Sequence, residues 1–433
     1  MNTISATPRQ CAVELLSEVL DHKRPLDEAM SRHTGFSQLA DRDRNFVRLL
    51  IMTALRRLGQ INALLTQMLE KPLQGKSQHV KHALRLGVVQ LIWLETPPHA
   101  AVHSTVEAVS ILGYDNMKGL VNAVLKRVSR EGAAIVKEQD EAKLNVPDWL
   151  YRSWSKAYGE EVAHAIALAK LAEPPLDISV KEDAPAWAEK LGGTLLPTGS
   201  IRIHEAGRVD GLTGYAQGAW WVQDAAAALP VHLLGDVRGK IVFDLCAAPG
   251  GKTAQLAAAG AHVVAVDKSK RRLQILASNM QRLGLKVETV ESDILKWKPH
   301  ITPDIVLLDA PCSATGTVRR HPEVLWGRTK EDITELTALQ KKLLNRAASW
   351  LKEGGKLLYC VCSLQSEEGE DQAADFAYHH GEFAPVPHAQ KWEAESLKHF
   401  IKKGAIRTHP ALLAGLGGMD GFYANCWVRL NNP

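Results

Sequence analysis

Over the first 140 residues, apolar side chains recur every three or four positions, the spacing of one buried helix face. Arg9–Leu20, Asp43–Leu58, Ile61–Leu69, Val80–Leu94, Val102–Leu112 and Lys118–Val128 carry this period and are expected as helices. Thr96-Pro97-Pro98 interrupts the run, because proline lacks an amide donor and clashes with the preceding turn. Gly113 stops another helix. Past the charged stretch Glu138–Lys143 and Pro147 the pattern changes. Trp149–Tyr158 and Glu160–Leu171 read as short helices, and Leu176–Val180 and Ser200–His204 as strands. From about residue 236 apolar, partly β-branched runs alternate with helical segments such as Glu335–Leu351. The runs are Ile241–Cys246, Val263–Asp267, Val287–Glu291, Ile305–Asp309, Lys356–Cys362 and Phe422–Leu430. Such alternation predicts a doubly wound parallel sheet. The expected chain is multidomain: an all-α domain over 1–140, a small α+β connector over 145–235 and an α/β, Rossmann-like domain over 236–433.

The first strand of that sheet ends in an acid and a loop of small residues: Asp244, Leu245, Cys246, Ala247, Ala248, Pro249, Gly250, Gly251, Lys252, Thr253. Glycines let backbone approach a ligand closely. The helix that follows offers free amides and the positive end of its dipole. At the carboxyl edge of a parallel sheet this is a nucleotide-type cofactor site. A phosphate loop needs G-x-x-x-x-G-K-[ST], but its first Gly would fall on Cys246. The dinucleotide pattern G-x-G-x-x-G is absent. S-adenosylmethionine carries little negative charge and needs no full anion cradle, and Asp244 suits its ammonium. Asp267 ends the second strand about 20 residues past the loop, where an acid binds ribose hydroxyls. Asp293 follows the third strand and suits an adenine amino group. An ordinary strand–helix turn is the plain alternative, though acids at successive strand ends argue against it.

Composition adds bounds. The chain has 433 residues, 45% hydrophobic and 23% charged, enough for two or three domains. It has no apolar run of about 18 residues, so no membrane span is expected. Its first ten residues lack a signal-peptide core. The six cysteines (11, 246, 312, 360, 362, 426) show neither disulfide nor zinc spacing, so no metal is expected and a cytoplasmic chain with reduced thiols is. Residues 1–140 hold 18 Lys and Arg against 14 Asp and Glu, so the whole net charge of +4 lies there. That excess, and the arginines at 42, 44, 48, 56 and 57, fit either an RNA contact or a solvated face.

Two further loops carry thiols. Asp309-Ala310-Pro311-Cys312-Ser313-Ala314-Thr315-Gly316 leaves the fourth strand, and Cys360-Val361-Cys362-Ser363 ends the fifth. Neighbouring strands deliver both to the cofactor edge. A thiolate that adds to C6 of a pyrimidine makes C5 nucleophilic enough to take a methyl group, which splits one hard step into easier ones. Asp309 suits N3 or N4 of cytosine. Period two puts Cys360 and Cys362 on one strand face, so spacing alone leaves both open, with Cys362 nearer the strand end.

Asp309-Ala310-Pro311-Cys312-Ser313, with Cys362-Ser363 and Glu367-Glu368-Gly369-Glu370, resembles the D-A-P-C-S-x-x-G and T-C-S motifs of RNA 5-methylcytidine methyltransferases. Val361 stands where that family usually has Thr. Pro98–Val102 and Lys118–Arg127 are similar to the helical RNA-binding domain of the antitermination factor NusB. Together they resemble the RsmB (Sun/Fmu) family of bacterial 16S rRNA methyltransferases. The resemblance implies a class I methyltransferase domain and C5 methylation of a cytosine in 16S rRNA, free or in a small-subunit assembly intermediate, by a cytoplasmic monomer. It implies Cys362 as nucleophile and Cys312 as the residue that helps release product. S-adenosylmethionine would lie on Cys246–Lys252, with Asp267, Asp293 and Asp309 as further contacts. Arg319-Arg320-His321-Pro322 and Arg407-Thr408-His409-Pro410 also fit positions near the substrate, or ordinary surface charge. The rivals are a phosphate-loop ATPase and a non-catalytic RNA-binding or antitermination factor.

Overall fold

The computed structural model describes residues 7–73, 75–386 and 399–431. The chain forms two compact units, Met1–Ala172 with Arg320–Gly327, and Glu173–Arg319 with Arg328–Pro433. The junction at Ala172 and Glu173 falls within the stretch read as connector.

The first unit is helical: α1 (Pro8–Leu20), α2 (Leu26–Arg32), α3 (Thr34–Ser37), α4 (Asp41–Arg56), α5 (Leu58–Met68), α6 (Gln78–Ile92), α7 (Pro98–Ile111), α8 (Lys118–Lys137), α9 (Glu141–Leu144), α10 (Asp148–Tyr158) and α11 (Glu160–Ala169). Thr7 Oγ1 caps α1 by accepting from Gln10 N, and Pro8 opens it where no amide is needed. The periodic faces are the buried ones: Leu15, Leu16, Leu50, Leu84 and Leu125 meet in one core. Pro98 begins α7 rather than only breaking its predecessor. The helix α8 runs past Val128 to Lys137. Its inward position there is Gly132, packed towards Ile92 and Leu64, so the apolar pattern fades while the helix continues.

The arginine cluster is largely spoken for. Arg44 pairs with Asp41, Arg48 with Asp27 and Arg57 with Glu141. Arg56 is buried and donates to the Lys170 carbonyl at 2.6 Å, while Lys170 Nζ donates to the Arg56 carbonyl at 2.7 Å. Arg42 and Arg48 are exposed and Arg44 and Arg57 partly so, and only the buried Arg56 leaves the cluster read as a solvated face or an RNA surface.

The second unit opens with a small antiparallel sheet, order β2-β3-β1-β4, made of β1 (Leu176–Val180), β2 (Thr194–Leu195), β3 (Ile201–Ile203) and β4 (Trp220–Val222), with α12 (Ala184–Leu191) against it. A buried Asp177–Arg202 pair, both bonds 2.7 Å, crosses β1 and β3. Asp177 also accepts from Ala225 N at the start of α13 (Ala225–His232).

The large sheet follows: β5 (Ile241–Leu245), α14 (Gly251–Ala258), β6 (His262–Asp267), α15 (Lys270–Leu283), β7 (Glu288–Glu291) and β8 (Ile305–Asp309). The short α16 (Val324–Gly327) belongs to the helical unit. Then come α17 (Lys330–Ala348), β9 (Lys356–Val361), α18 (Glu370–His379), β10 (Phe383–Pro385), β11 (Ile401–Lys402), β12 (Ala405–Arg407) and β13 (Tyr423–Arg429). Strands β7-β6-β5-β8-β9 are parallel in that order, so the winding runs one way from β5 through β6 to β7 and the other way through β8 to β9, with the switch point between β5 and β8. Ligands bind at the carboxyl edge of such a switch point. The strand read at Phe422–Leu430 is β13, and it corrects a wholly parallel sheet: Tyr423 lies opposite Val361 and Val428 opposite Lys356, an antiparallel pairing. Apolar runs encode burial and not strand direction, and an antiparallel edge on a parallel sheet is common.

Candidate active site

Three loops leave the carboxyl ends of β5, β8 and β9. The first begins at Cys246, whose backbone is left-handed with φ 60°. Gly250 has φ 105°, and a Cβ there would meet Leu276 at 2.9 Å, so both conformation and space require glycine. The loop then enters α14 at Gly251. Beneath it Asp244 is fully buried. Its Oδ2 accepts from Thr253 Oγ1 at 2.5 Å, and its Oδ1 has no partner among the described residues. Burial, followed by repulsion from Asp309 and Asp267, pushes its pKa up to about 7. An orphaned buried oxygen is costly unless a ligand completes it. Asp267, at the end of β6, accepts from Ala248 N at 3.3 Å and from Ser269 N at 2.9 Å, and so ties the loop to the next strand. Asp293 is exposed just past β7 and accepts from Leu295 N at 3.0 Å.

Lys252 is buried, with Nζ 2.9 Å from Asp309 Oδ2 and 4.8 Å above the Phe422 ring. Burial opposes its charge, but Asp309 and the sulfurs of Cys360 and Cys362 outweigh burial and raise its pKa. The other Asp309 oxygen lies 3.6 Å from Cys360 Sγ, its neighbour across β8 and β9.

The sulfurs of Cys312 and Cys362 are 3.4 Å apart. Cys360 is fully buried, and burial followed by Asp309 drives its thiol well above the usual range. Cys362, by contrast, is partly exposed where the chain leaves β9. The bond to Cys362, burial and the charge of Glu368 raise the Cys312 thiol, and in the 3.4 Å contact either sulfur can donate. Cys246, the first residue of the loop, is partly buried against the apolar cluster, and burial raises its thiol to about 12.

A buried carboxylate fixes both thiol loops. Glu368 Oε1 accepts from Ser313 N at 2.8 Å and Gln340 Nε2 at 3.0 Å, and Oε2 accepts from Ser313 Oγ and Ser363 Oγ, both at 2.5 Å. Each serine follows one of the paired cysteines. Gly316 N donates to the Cys362 carbonyl at 3.0 Å. A Cβ on Gly316 would meet the Gly421 carbonyl at 1.9 Å, which explains the glycine. The spacing of the acidic run named Glu368 without revealing this role.

The other expected residues fall differently. Arg319 is buried, donates to the Gly417 carbonyl at 2.8 Å and faces Asp224 and Asp420, which corrects a reading as surface charge. Arg320, His321 and Pro322 belong to the helical unit. Arg407 is buried too, paired with Glu370 and donating to the Ser363 carbonyl at 2.6 Å. It braces the backbone beside Cys362. Val361 is fully buried in an apolar cluster, a position with no demand for a hydroxyl.

Comparison with known proteins places these features in context. Residues 231–426 match the family described as 16S rRNA methyltransferase RsmB/F, and residues 6–130 match the NusB family. The ribosomal RNA small subunit methyltransferase B of Salmonella arizonae is 33% identical over 385 residues, covering 85% of this chain and 89% of its own. The crystal structure of PH0851 superposes over 98% of this chain and all of its own, with a TM-score of 0.76 and 22% identity. A methyltransferase homologue from Pyrococcus horikoshii covers 67% of this chain and 98% of its own at 25% identity, with a TM-score of 0.54.

Proposed function

The chain belongs to the RsmB/F family of 16S rRNA methyltransferases, and from that premise we propose that it methylates C5 of a cytosine in 16S rRNA through a covalent adduct between Cys362 and C6. The observation that carries the reading is the sulfur pair at 3.4 Å, held on two loops beside the Lys252–Asp309 pair.

S-adenosylmethionine is the cofactor and supplies an electrophilic methyl group. The residues fit it. Asp244 Oδ1 is a buried acceptor without a partner, suited to an ammonium. Both oxygens of Asp267 retain acceptor capacity for ribose hydroxyls. The loop Cys246, Ala247, Ala248, Pro249, Gly250, Gly251, Lys252 would hold the cofactor, with Asp293 and Asp309 as further contacts.

The target base leaves its stack to reach the loops, as base-modifying chemistry requires. As the thiolate, Cys362 Sγ attacks C6 while Asp309, oriented by Lys252, accepts from the N4 amino group. C5 would then take the methyl group from the sulfonium, whose methyl–sulfur bond breaks to leave a neutral thioether. A base removes the C5 proton, the C5–C6 double bond re-forms, and the electrons of the C6–Sγ bond return to Cys362. Cys312, 3.4 Å away, assists that release. We assign residues 1–140 to a NusB-like RNA-binding domain, 145–235 to a connector and 236–433 to the catalytic domain of a cytoplasmic monomer. Among the described residues no helix is long and apolar enough to cross a membrane. The substrate is 16S rRNA, free or in an assembling small subunit. Bisulfite sequencing of 16S rRNA from cells with and without this protein tests the reading: one cytosine should lose protection when the protein is absent, and an unchanged pattern rejects it.

A further inference from the structure

The helical unit holds a cavity of about 580 Å³ in the groove between α7 and α8, which the catalytic reading does not use. Its floor is apolar, with Val102 and Val106 one helical turn apart on α7. Its rim is cationic and polar: His99 on α7, and Asn122, Lys126 and Arg130 on one face of α8. No carboxylate lines it. Lys126 and His99 have no hydrogen-bond or ion-pair partner among the described residues. The side chain of Arg130 is 73% exposed and lies 4.0 Å from Glu131. The groove belongs to residues 1–140, which hold the whole positive excess of the chain.

A neutral metabolite has no use for two cations. The Asn122 amide beside the apolar floor both donates and accepts, which suits a base edge. Sites for single-stranded nucleic acid combine a positive track for phosphates with ring side chains on which bases stack, and His99 and His103 are the rings of this lining. We infer that the α7–α8 groove binds a nucleotide of single-stranded RNA, the base on Val102 and Val106 and the phosphate against Lys126 and Arg130. The inference rests on the reading that the substrate is rRNA, and it adds a contact site remote in sequence from the thiols.

The test is fluorescence anisotropy of the full chain with a labelled single-stranded RNA of about a dozen nucleotides, at several salt concentrations. The double variant Lys126→Ala/Arg130→Ala should bind about tenfold more weakly. Its dependence of log affinity on log salt should be shallower by about 1.4, the share of two phosphate contacts. Ser129→Trp, which fills the groove and removes no charge, should also weaken binding, whereas Lys137→Ala, on α8 but outside the groove, should change it less than twofold. Both groove variants should leave S-adenosylmethionine affinity unchanged. Parent-like RNA binding by both groove variants, or equal loss from Lys126→Ala and Lys137→Ala, overturns the inference. So does full RNA affinity with lost methylation of assembling subunits, which would assign the groove to a protein. Groove-dependent binding by a protein that protects no cytosine would support this site while rejecting the catalytic reading.

Discussion

Cys312 Sγ sits 3.4 Å from Cys362 Sγ, although 50 residues separate them in the chain. Glu368 makes this possible by bonding the serine that follows each cysteine.

The two thiols should fail differently. Cys362→Ala removes the proposed attacking sulfur and should abolish both methylation and adduct. Cys312→Ala should attack and transfer the methyl group, then stall before release. Denaturing gels with labelled rRNA should show a slow protein–RNA band for Cys312→Ala and none for Cys362→Ala or the double variant. A band confined to Cys362→Ala would reverse the roles.

Glu368→Ala leaves Ser313 N, Ser313 Oγ, Ser363 Oγ and Gln340 Nε2 without their buried acceptor. Leaving a buried donor without its acceptor costs about 1–3 kcal/mol. A chemical-denaturation midpoint should fall accordingly. Glu368→Gln keeps the shape but cannot accept every bond, so it should stay folded while adduct formation slows by about tenfold or more. Parent-like adduct kinetics in Glu368→Gln would mean that the clamp does not set the sulfur geometry.

Asp267→Ala should weaken S-adenosylmethionine binding by about ten- to a hundredfold, the loss expected for charge-assisted hydrogen bonds of about 1.5–3 kcal/mol. Titration calorimetry on the folded variant measures it. Unchanged affinity would remove Asp267 from the cofactor site.

Asp244 gives a pH signature. Its pKa is raised from 3.8 to about 7 in the folded chain. The folded state therefore holds a proton that the unfolded chain releases above the lower value. This group favours folding most at acid pH, and its contribution declines as pH rises from about 4 to 7, by at most about 1.4 kcal/mol per unit. Asp244→Asn should flatten that part of the stability profile. A cofactor ammonium needs the carboxylate, so binding at pH 6 should expel most of a proton and binding near pH 7 a smaller part. Calorimetry in buffers of different ionisation enthalpy detects this, and an identical heat in all buffers at pH 7 would contradict it.

The strand–loop–helix turn at 244–253 was legible because glycines, a strand-ending acid and a helix start are local features. Choosing between Cys360 and Cys362 was not local. Period two reports a face, but depth depends on where the strand ends, and β9 stops at Val361, so Cys362 turns out of the sheet that encloses Cys360. Arg319 and Arg407 illustrate the same limit: residue type does not tell a buried cation from a solvated one. Their partners Asp420 and Glu370 lie 101 and 37 residues away. Direction of β13 was likewise invisible, since an apolar run reads the same from either end.

The eight-residue stretch Arg320–Gly327 has a practical meaning for anyone dividing this protein into pieces. Trp326 Nε1 donates to the Leu55 carbonyl at 2.9 Å, and Glu323 accepts from Leu26 N at 3.4 Å. A fragment ending at Ala172 would carry every helix from α1 to α11 and still be short of its own wall. Leu55 would keep a bare carbonyl, and Leu26 a bare amide. The helical unit is discontinuous in sequence, so one cut cannot excise it whole. A shortened fragment should gain stability when a peptide spanning 320–327 is added in trans.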